Sequence, residues 1–531
     1  MVGTMRATGG WDRSYESQTG TDMYSYVENV YSVSVNRLNC IGNSHCPDTM
    51  VQPLAFSLNR AQPEALVDQI VREVERALQR QTLHAGMRMP SIRSLAKAHG
   101  ISTFTVVEAY DRLVARGTLV ARRGAGFFVA GAADSRDTGP TSPGGTLAVS
   151  TTASEVTNAW LLSEIFADDA IAVKSGCGWL PDSWLDEDGL QGALRSLSKG
   201  PGAHFAHYGH PRGYGPLRQW LARRLGELSI DAPPEHIVLT HGATQALDLV
   251  VRTLLKPGDT VLVEAPAYCN LLAVLRLAGL NVVGIPRTEA GLDLAALEQA
   301  AQTHRPRALF VNPALQNPLG TSLTPAAAHR ILQCAEQHGF WIVEDDIYRE
   351  LAPAGTPSLA AMDGLSRVIY VSSFSKTISP SVRVGYLACS RDLAHEIARS
   401  KMVAGLTSSE INERIVHAIL TEGRHRKHIE RLSDRLTRSR ARLITQLQSH
   451  GVTLLAQPEG GMFVCGSLPQ TSRPARELAE AALLESIMLA PGEFFLAHNE
   501  PCHWFRFNVA YSDDARLFRF LDRAAAGKLA A

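Results

Sequence analysis

The chain has 531 residues, 45% of them hydrophobic, which is enough to bury a large core and points to two or more domains. Lysine plus arginine and aspartate plus glutamate stand at 52 each, so any nucleic-acid footprint must be local. Eight cysteines without CxxC or metal-ligand spacing imply no zinc site. With no apolar run of membrane-spanning length and no basic-then-apolar leader, the expectation is a cytoplasmic protein with reduced thiols, no metal and no membrane.

The first 50 residues are rich in Gly, Ser, Thr, Asn and Tyr and show no helical period, which predicts a disordered extension over 1–57, with Met50 as a later candidate start. From 61 to 131 ten cations face six acids, a local surplus of about four positive charges suited to a phosphate backbone. Leu66, Ile70, Val74 and Ala77 recur at helical spacing. Pro90-Ser91 opens SIRSLAKA, Gly100 supplies a turn, and Ser102 caps a helix whose buried face is Val106, Tyr110, Leu113 and Val114. Its other face presents Ser102, Thr103 and Thr105, short polar groups that reach base edges or phosphates when such a helix enters a major groove. LVARRGAGFFV then reads as two strands around Gly124-Ala125-Gly126, with Arg122 and Arg123 placed for phosphate or minor-groove contact. This predicts a DNA-binding winged helix-turn-helix over 58–131.

Residues 132–158, full of Gly, Pro, Ser and Thr, predict a flexible linker. Beyond it, over 159–531, the apolar runs HIVLT, TVLVEA, ALFVNP and WIVED alternate with helical segments, predicting an α/β body with a buried, mostly parallel sheet. Residues 425–450, with Ile429, Leu432, Leu436, Leu443 and Leu447 amid arginines, predict a long amphipathic helix in a smaller C-terminal subdomain, its charge read as a solvated face.

Several motifs in the body carry chemistry. Residues 371–386 read VSSFSKTISPSVRVGY, placing Lys376 beside Ser373 and Ser375 and seven residues before Arg383. A low-dielectric setting and a nearby cation favour the neutral, nucleophilic amine. Gly242-Ala243-Thr244 runs from a strand end into a helix, a backbone arrangement that receives anions. Asp345 and Tyr348 follow a strand, with Asp346 as the competing acid. Asn317 lies in LQNPLG, Tyr268 in EAPAY, Tyr208 in HYGH and Arg506 in WFRFN.

Residues 65–130 are similar throughout to the GntR winged helix-turn-helix, including the Pro-Ser-x-Arg start and the Thr-Val-x-x-Ala-Tyr core. The resemblance implies DNA contact by Ser91 and Arg93, and by Gly124 in the wing; Thr103 stands where that pattern often has another arginine. Residues 159–525 resemble fold-type I pyridoxal 5′-phosphate (PLP) enzymes of the aminotransferase kind, with a small C-terminal α/β subdomain. Together the two parts resemble the MocR group of the GntR family of transcriptional regulators.

That resemblance implies Lys376 as the Schiff-base lysine. It implies a phosphate cradle from Gly242, Ala243, Thr244, Ser373, Ser375 and Arg383, completed by Tyr208 of a partner subunit and hence a homodimer. Asp345 would serve the ring nitrogen, Tyr348 and Asn317 the ring oxygen, Tyr268 the ring face, and Arg506 the carboxylate of an amino-acid effector. The implied function is a regulator that binds double-stranded operator DNA and senses an amino-containing effector or PLP; a working aminotransferase with an accessory head is the alternative.

Overall fold

The computed structural model describes residues 58–59, 64–80, 82–122, 125–130, 171–199, 206–288 and 291–529. Residues 1–57 and 132–158, and Arg123 and Gly124 of the wing, lie outside them. Contacts divide the chain into two compact units between residues 148 and 149.

In the first unit α1 (Leu66–Gln79), α2 (Ile92–His99) and α3 (Thr103–Ala115) precede a hairpin of β1 (Leu119–Arg122) and β2 (Gly126–Val129). The Ser91 side chain accepts the Ser94 amide and starts α2; Gly100 ends it at φ +60°, a conformation that strains other residues. Ser102 accepts the Phe104 amide and starts α3. Val106, Ala109, Tyr110 and Leu113 are fully buried against Ile70, Val74 and Leu95, while Val114 is half-buried. The Tyr110 hydroxyl donates to the Pro90 carbonyl at 3.0 Å and its ring meets Phe127 edge-on at 4.9 Å, so one side chain ties α3 to both the entry of α2 and the wing.

The second unit is built on eight strands: β3 (Ile237–Thr240), β4 (Thr260–Ala265), β5 (Asn281–Thr288), β6 (Gly291–Leu292), β7 (Ala308–Val311), β8 (Trp341–Asp345), β9 (Val368–Ser373) and β10 (Gly385–Ala388). Their order is β3-β10-β9-β8-β7-β4-β5-β6, mostly parallel as the apolar runs predict, with β10 antiparallel to both β3 and β9 and β6 antiparallel to β5. Alternate side chains feed two cores, Ile237, Leu239 and Tyr370 on one face, Val238, Ile369 and Val371 on the other.

A second sheet, β11 (Thr453–Leu454), β12 (Phe463–Ser467), β13 (Ala490–Pro491) and β14 (Trp504–Asn508), is antiparallel in the order β11-β12-β14-β13. The long helix His425–Ser449 buries Leu432, Leu436, Leu443 and Leu447 in the same cluster as Phe463, Phe505 and Phe507. It is the amphipathic helix that the sequence predicts.

Parallel strands gather the chemistry-bearing loops at one edge. Thr240, Ala265, Val311, Asp345 and Ser373 end β3, β4, β7, β8 and β9. Because β10 runs the other way, its first residue, Gly385, pairs with both Thr240 and Ser373 at that same edge.

Tyr110→Phe should leave the Pro90 carbonyl buried without its donor, weakening the helix-turn-helix by about 1–3 kcal/mol. Native-state hydrogen exchange on the whole chain reads this as faster exchange across α2 and α3; unchanged protection there would show that the hydroxyl contributes nothing.

Candidate cofactor site and nucleic-acid interface

The candidate anion cradle begins where β3 hands over to the helix Gly242–Leu254. Gly242 has φ +78°, and a Cβ there would come within 2.9 Å of the Arg383 guanidinium. Arg383, itself left-handed at φ +48°, donates to the His241 carbonyl at 3.0 Å. A side chain on Gly385 would approach the Gly242 carbonyl carbon to 2.5 Å, so the glycine lets β10 lie directly against the helix start. Ser373 donates to the Val384 carbonyl at 3.0 Å and accepts the Ser375 amide at 3.2 Å, which shapes the loop and brings its hydroxyl within 2.9 Å of that of Ser375. Predicted as direct anion ligands, these serines are joined; the Ser373 hydroxyl also holds the loop itself.

Lys376 is half-buried, and its amine donates to the Gly178 carbonyl at 2.6 Å. Burial pushes that amine down to about 8, helped by Arg506 and then Arg383, against the pull of Cys177 and Asp345. Asp345, at the end of β8, is buried and its Oδ1 has no hydrogen-bond partner. Burial and the neighbouring Asp346 push its carboxyl up to about 7. Asp346, which the sequence reading takes as the structural member of the pair, has its Oδ2 held by Arg349 at 2.5 Å, while its Oδ1 also has no hydrogen-bond partner.

Tyr348 is fully buried, its ring edge-on to Phe463, with Arg506, Tyr268 and Asp345 as electrostatic neighbours; burial raises its phenol. The Tyr268 phenol is hydrogen-bonded to Thr244 and to the Asn270 amide, the latter at 3.0 Å. Asn317 is buried, and its Oδ1 accepts from Arg506 at 3.0 Å. Arg506 also donates to the Gly176 carbonyl at 2.7 Å and lies 4.3 Å from the Phe463 ring centroid. Among the described residues no carboxylate pairs with this buried guanidinium, and its Nε has no partner. A structural salt bridge, the ordinary role of such an arginine, is therefore not what holds it.

Two contributions escaped the sequence reading because backbone makes them. The Gly176 and Gly178 carbonyls orient Arg506 and Lys376, and Asn508 holds that segment by donating to the Cys177 and Trp179 carbonyls at 3.0 and 2.7 Å. Carbonyls leave no residue-type signature, although the close pair of glycines was a signal. Tyr208 is 82% exposed.

On the head, Arg93, Ser102 and Thr103 are exposed and Thr105 is half-buried. The Ser91 and Ser102 hydroxyls accept capping amides. Arg122 lies over the Phe128 ring at 4.8 Å. Phe104, passed over in the sequence, is 73% exposed between Thr103 and Thr105; an apolar group there can meet a thymine methyl.

The orphaned Asp345 oxygen, the Arg506 guanidinium without an acid partner, the helix start at Gly242 beside Arg383 and the lowered amine of Lys376 fit the ring nitrogen, an effector carboxylate, the phosphate and the aldehyde of a PLP-dependent site. Bound there, PLP supplies an electron sink for chemistry at the carbon bearing an amine.

Comparison with known proteins agrees. Residues 188–523 match the family profile "Aminotransferase class I and II", and residues 66–129 match "Bacterial regulatory proteins, gntR family". The 2-aminoadipate transaminase of Thermus thermophilus is 35% identical over 362 residues, 66% of this chain and 89% of that one. The HTH-type transcriptional regulator YdcR of Escherichia coli is 30% identical over 80% of this chain and 91% of its own length. The probable rhizopine catabolism regulatory protein MocR of Rhizobium meliloti is 30% identical over 66% and 70%. Among solved structures, the α-aminoadipate aminotransferase LysN of Thermus thermophilus, complexed with N-(5′-phosphopyridoxyl)-L-leucine, superposes with a TM-score of 0.63 at 31% identity, covering 69% of this chain and 95% of LysN.

Fold and site thus define a PLP fold-type I domain joined to a GntR helix-turn-helix. The chain belongs to the MocR subgroup of the gntR family of bacterial regulatory proteins.

Neutral amine is the form that captures an aldehyde. Covalent uptake of PLP by apo-protein, followed by near-visible absorbance, should therefore speed up with pH and level off just above 8; a rate still climbing towards about 10.4, where an ordinary lysine titrates, would refute the lowered amine. Asp345→Asn should weaken PLP binding about 10- to 100-fold, the worth of one hydrogen bond to a charged group. It should not lower the melting temperature of the apo-protein, since an unpaired buried carboxylate disappears. A purely structural Asp345 would give the reverse pattern.

Proposed function

We propose that this chain is a PLP-dependent transcriptional regulator of the MocR type, in which the head binds double-stranded operator DNA and the body senses an amino-containing effector or PLP itself. The observation that carries this reading is the presence, in one chain, of a GntR helix-turn-helix and a site with every group PLP needs. YdcR and MocR, both named as regulators, support it, and the YdcR match, over 432 residues, is longer than the body alone.

Within this reading Arg93, Ser91, Ser102, Thr103, Thr105 and the wing residues Arg122, Arg123 and Gly124 meet DNA, and 132–158 links a head of 58–131 to a body of 159–531. Lys376 holds the aldehyde, Asp345 keeps a proton on the ring nitrogen, and Gly242, Ala243, Thr244, Ser373, Ser375 and Arg383 hold the phosphate. Tyr348 and Asn317 serve the ring oxygen, and Tyr268 covers a ring face. Arg506 grips an effector carboxylate with its planar fork; its lack of an acid partner supports that role. The high exposure of Tyr208 supports its reaching the phosphate of a neighbouring copy, hence a homodimer working in the cytoplasm. Paired heads would read half-sites about one helical turn, ~34–36 Å, apart. An effector changes DNA affinity only through its different affinities for the arrangements the dimer adopts.

A second reading, a turning-over aminotransferase, is favoured by the intact site and the 35% identity to a transaminase.

Titrating amino acids, amines and free PLP against operator binding separates the two. The regulator should show a shift of about 5-fold or more with at least one of them, and Arg506→Ala should abolish an amino-acid response while leaving effector-free DNA binding intact. Indifference to every titrant, together with steady transamination at about 1 s⁻¹ or faster, would move the assignment to the enzyme.

A further inference from the structure

The long helix His425–Ser449 carries a charge imbalance that neither the cofactor site nor the head uses. Residues 424–442 hold eight cations, Arg424, Arg426, Lys427, Arg431, Arg435, Arg438, Arg440 and Arg442, against Glu430 and Asp434. Eight minus two leaves six positive charges in a chain whose total is zero, more than the four of the head.

Five of these cations form one line. Lys427, Arg431, Arg435, Arg438 and Arg442 are spaced four, four, three and four residues apart, which stacks them on one face of a helix. At 1.5 Å per residue the line is about 22 Å long, with a cation roughly every 6 Å. All five are exposed, beside the buried stripe of Leu432, Leu436 and Leu443.

A solvated helix face normally pairs its charges at i,i+4. Here Glu430 is taken by Arg426 at 3.7 Å, and Asp513 by Arg442 at 2.6 Å. Among the described residues no acid lies within ion-pair distance of Lys427, Arg431, Arg435 or Arg438. Arg435 is fixed without being neutralised: its guanidinium lies 4.1 Å over the Trp184 ring and donates to the Ser183 carbonyl at 3.3 Å. Trp184, Arg431, Arg435 and Arg438 line an open hollow of about 370 Å³, with Asp434 the single acid in its lining.

Mutual repulsion along such a line is relieved by a partner with negative charges repeating in register with it. A phosphodiester backbone is such a partner. We propose that this arginine ridge is a second DNA-contact surface, carried by the PLP-binding body itself, which grips phosphates and reads no bases. The inference rests on the regulator reading, which already brings a duplex to this chain.

Each phosphate neutralised adds about 0.9 to the slope of log K against log salt. Fluorescence anisotropy of the full holo-protein with a long mixed-sequence DNA duplex, across a potassium chloride series, should therefore give a slope about 2–3 smaller for Arg431→Gln/Arg435→Gln/Arg438→Gln than for wild type. Affinity near 0.1 M salt should fall about 10- to 100-fold. Arg195→Gln/Arg330→Gln/Arg399→Gln, an equal change of charge on other exposed arginines, should leave both values near wild type. Equal slopes in the two triple variants would overturn the ridge while leaving the regulator reading standing. Absence of duplex binding by wild type would take down both. Unaltered PLP absorbance in the ridge variant would confirm that the body is still folded.

Discussion

Glu264, next to last in β4, has both carboxylate oxygens engaged, one on the Arg287 guanidinium and the other on the Asn312 amide at 3.0 Å. Burial raises its pKa, and Arg287 pulls the other way. Asn312 passes the constraint on: its side chain donates to the Asp345 carbonyl and accepts the Asn317 amide at 2.9 Å. Gln316 closes the ring by donating to the Pro266 carbonyl at 2.7 Å. Three loops, bearing Tyr268, Asn317 and Asp345, are therefore clamped through one buried acid. An apolar pair of the same volume could match or exceed its stability, but it would offer nothing for the loops to bond to.

Against that clamp the site's own charges differ in kind. Glu264 is paired with Arg287 with both of its oxygens engaged, and Asp346 is ion-paired to Arg349 through one oxygen. Asp345 and Arg506 are just as buried, yet among the described residues neither is in an ion pair and each keeps an atom without a protein partner. Leaving a buried charge short of partners costs stability in the free protein, and a ligand that supplies them returns it as binding energy. Such a body is built to respond to occupancy. That property serves a sensor as well as a catalyst, which is why the geometry by itself sits comfortably with either reading and the fusion to a helix-turn-helix weighs more.

Legibility in the sequence followed the physics of each signal. Local patterns were readable: the caps at Ser91 and Ser102 and the apolar stripe of α3 depend only on neighbours within a turn or two. So were the strand runs, since a strand buried on both faces leaves no polar period. Lys376 and Arg383 could be placed because their loop is contiguous. The antiparallel entry of β10 was not readable, because direction is decided by pairing with β3 and β9 rather than by composition. Nor were the roles of Gly176 and Gly178, whose carbonyls act, or the neutralising status of acids around the long helix. There the sequence reading took the charge for a solvated face; which cations lack partners emerges only when Asp513, far along the chain, is found beside Arg442.

The reversal at β10 has a mechanical corollary. Residues 374–384 form a single hairpin loop pinned at its neck by the Ser373–Gly385 pair, and that one loop carries both Lys376 and Arg383. In the roles proposed for them, the residue for the aldehyde and a residue for the phosphate therefore ride on the same short loop, between strands that are paired with each other. A small ligand that alters the strain at one end of the loop thus has a short lever to the other.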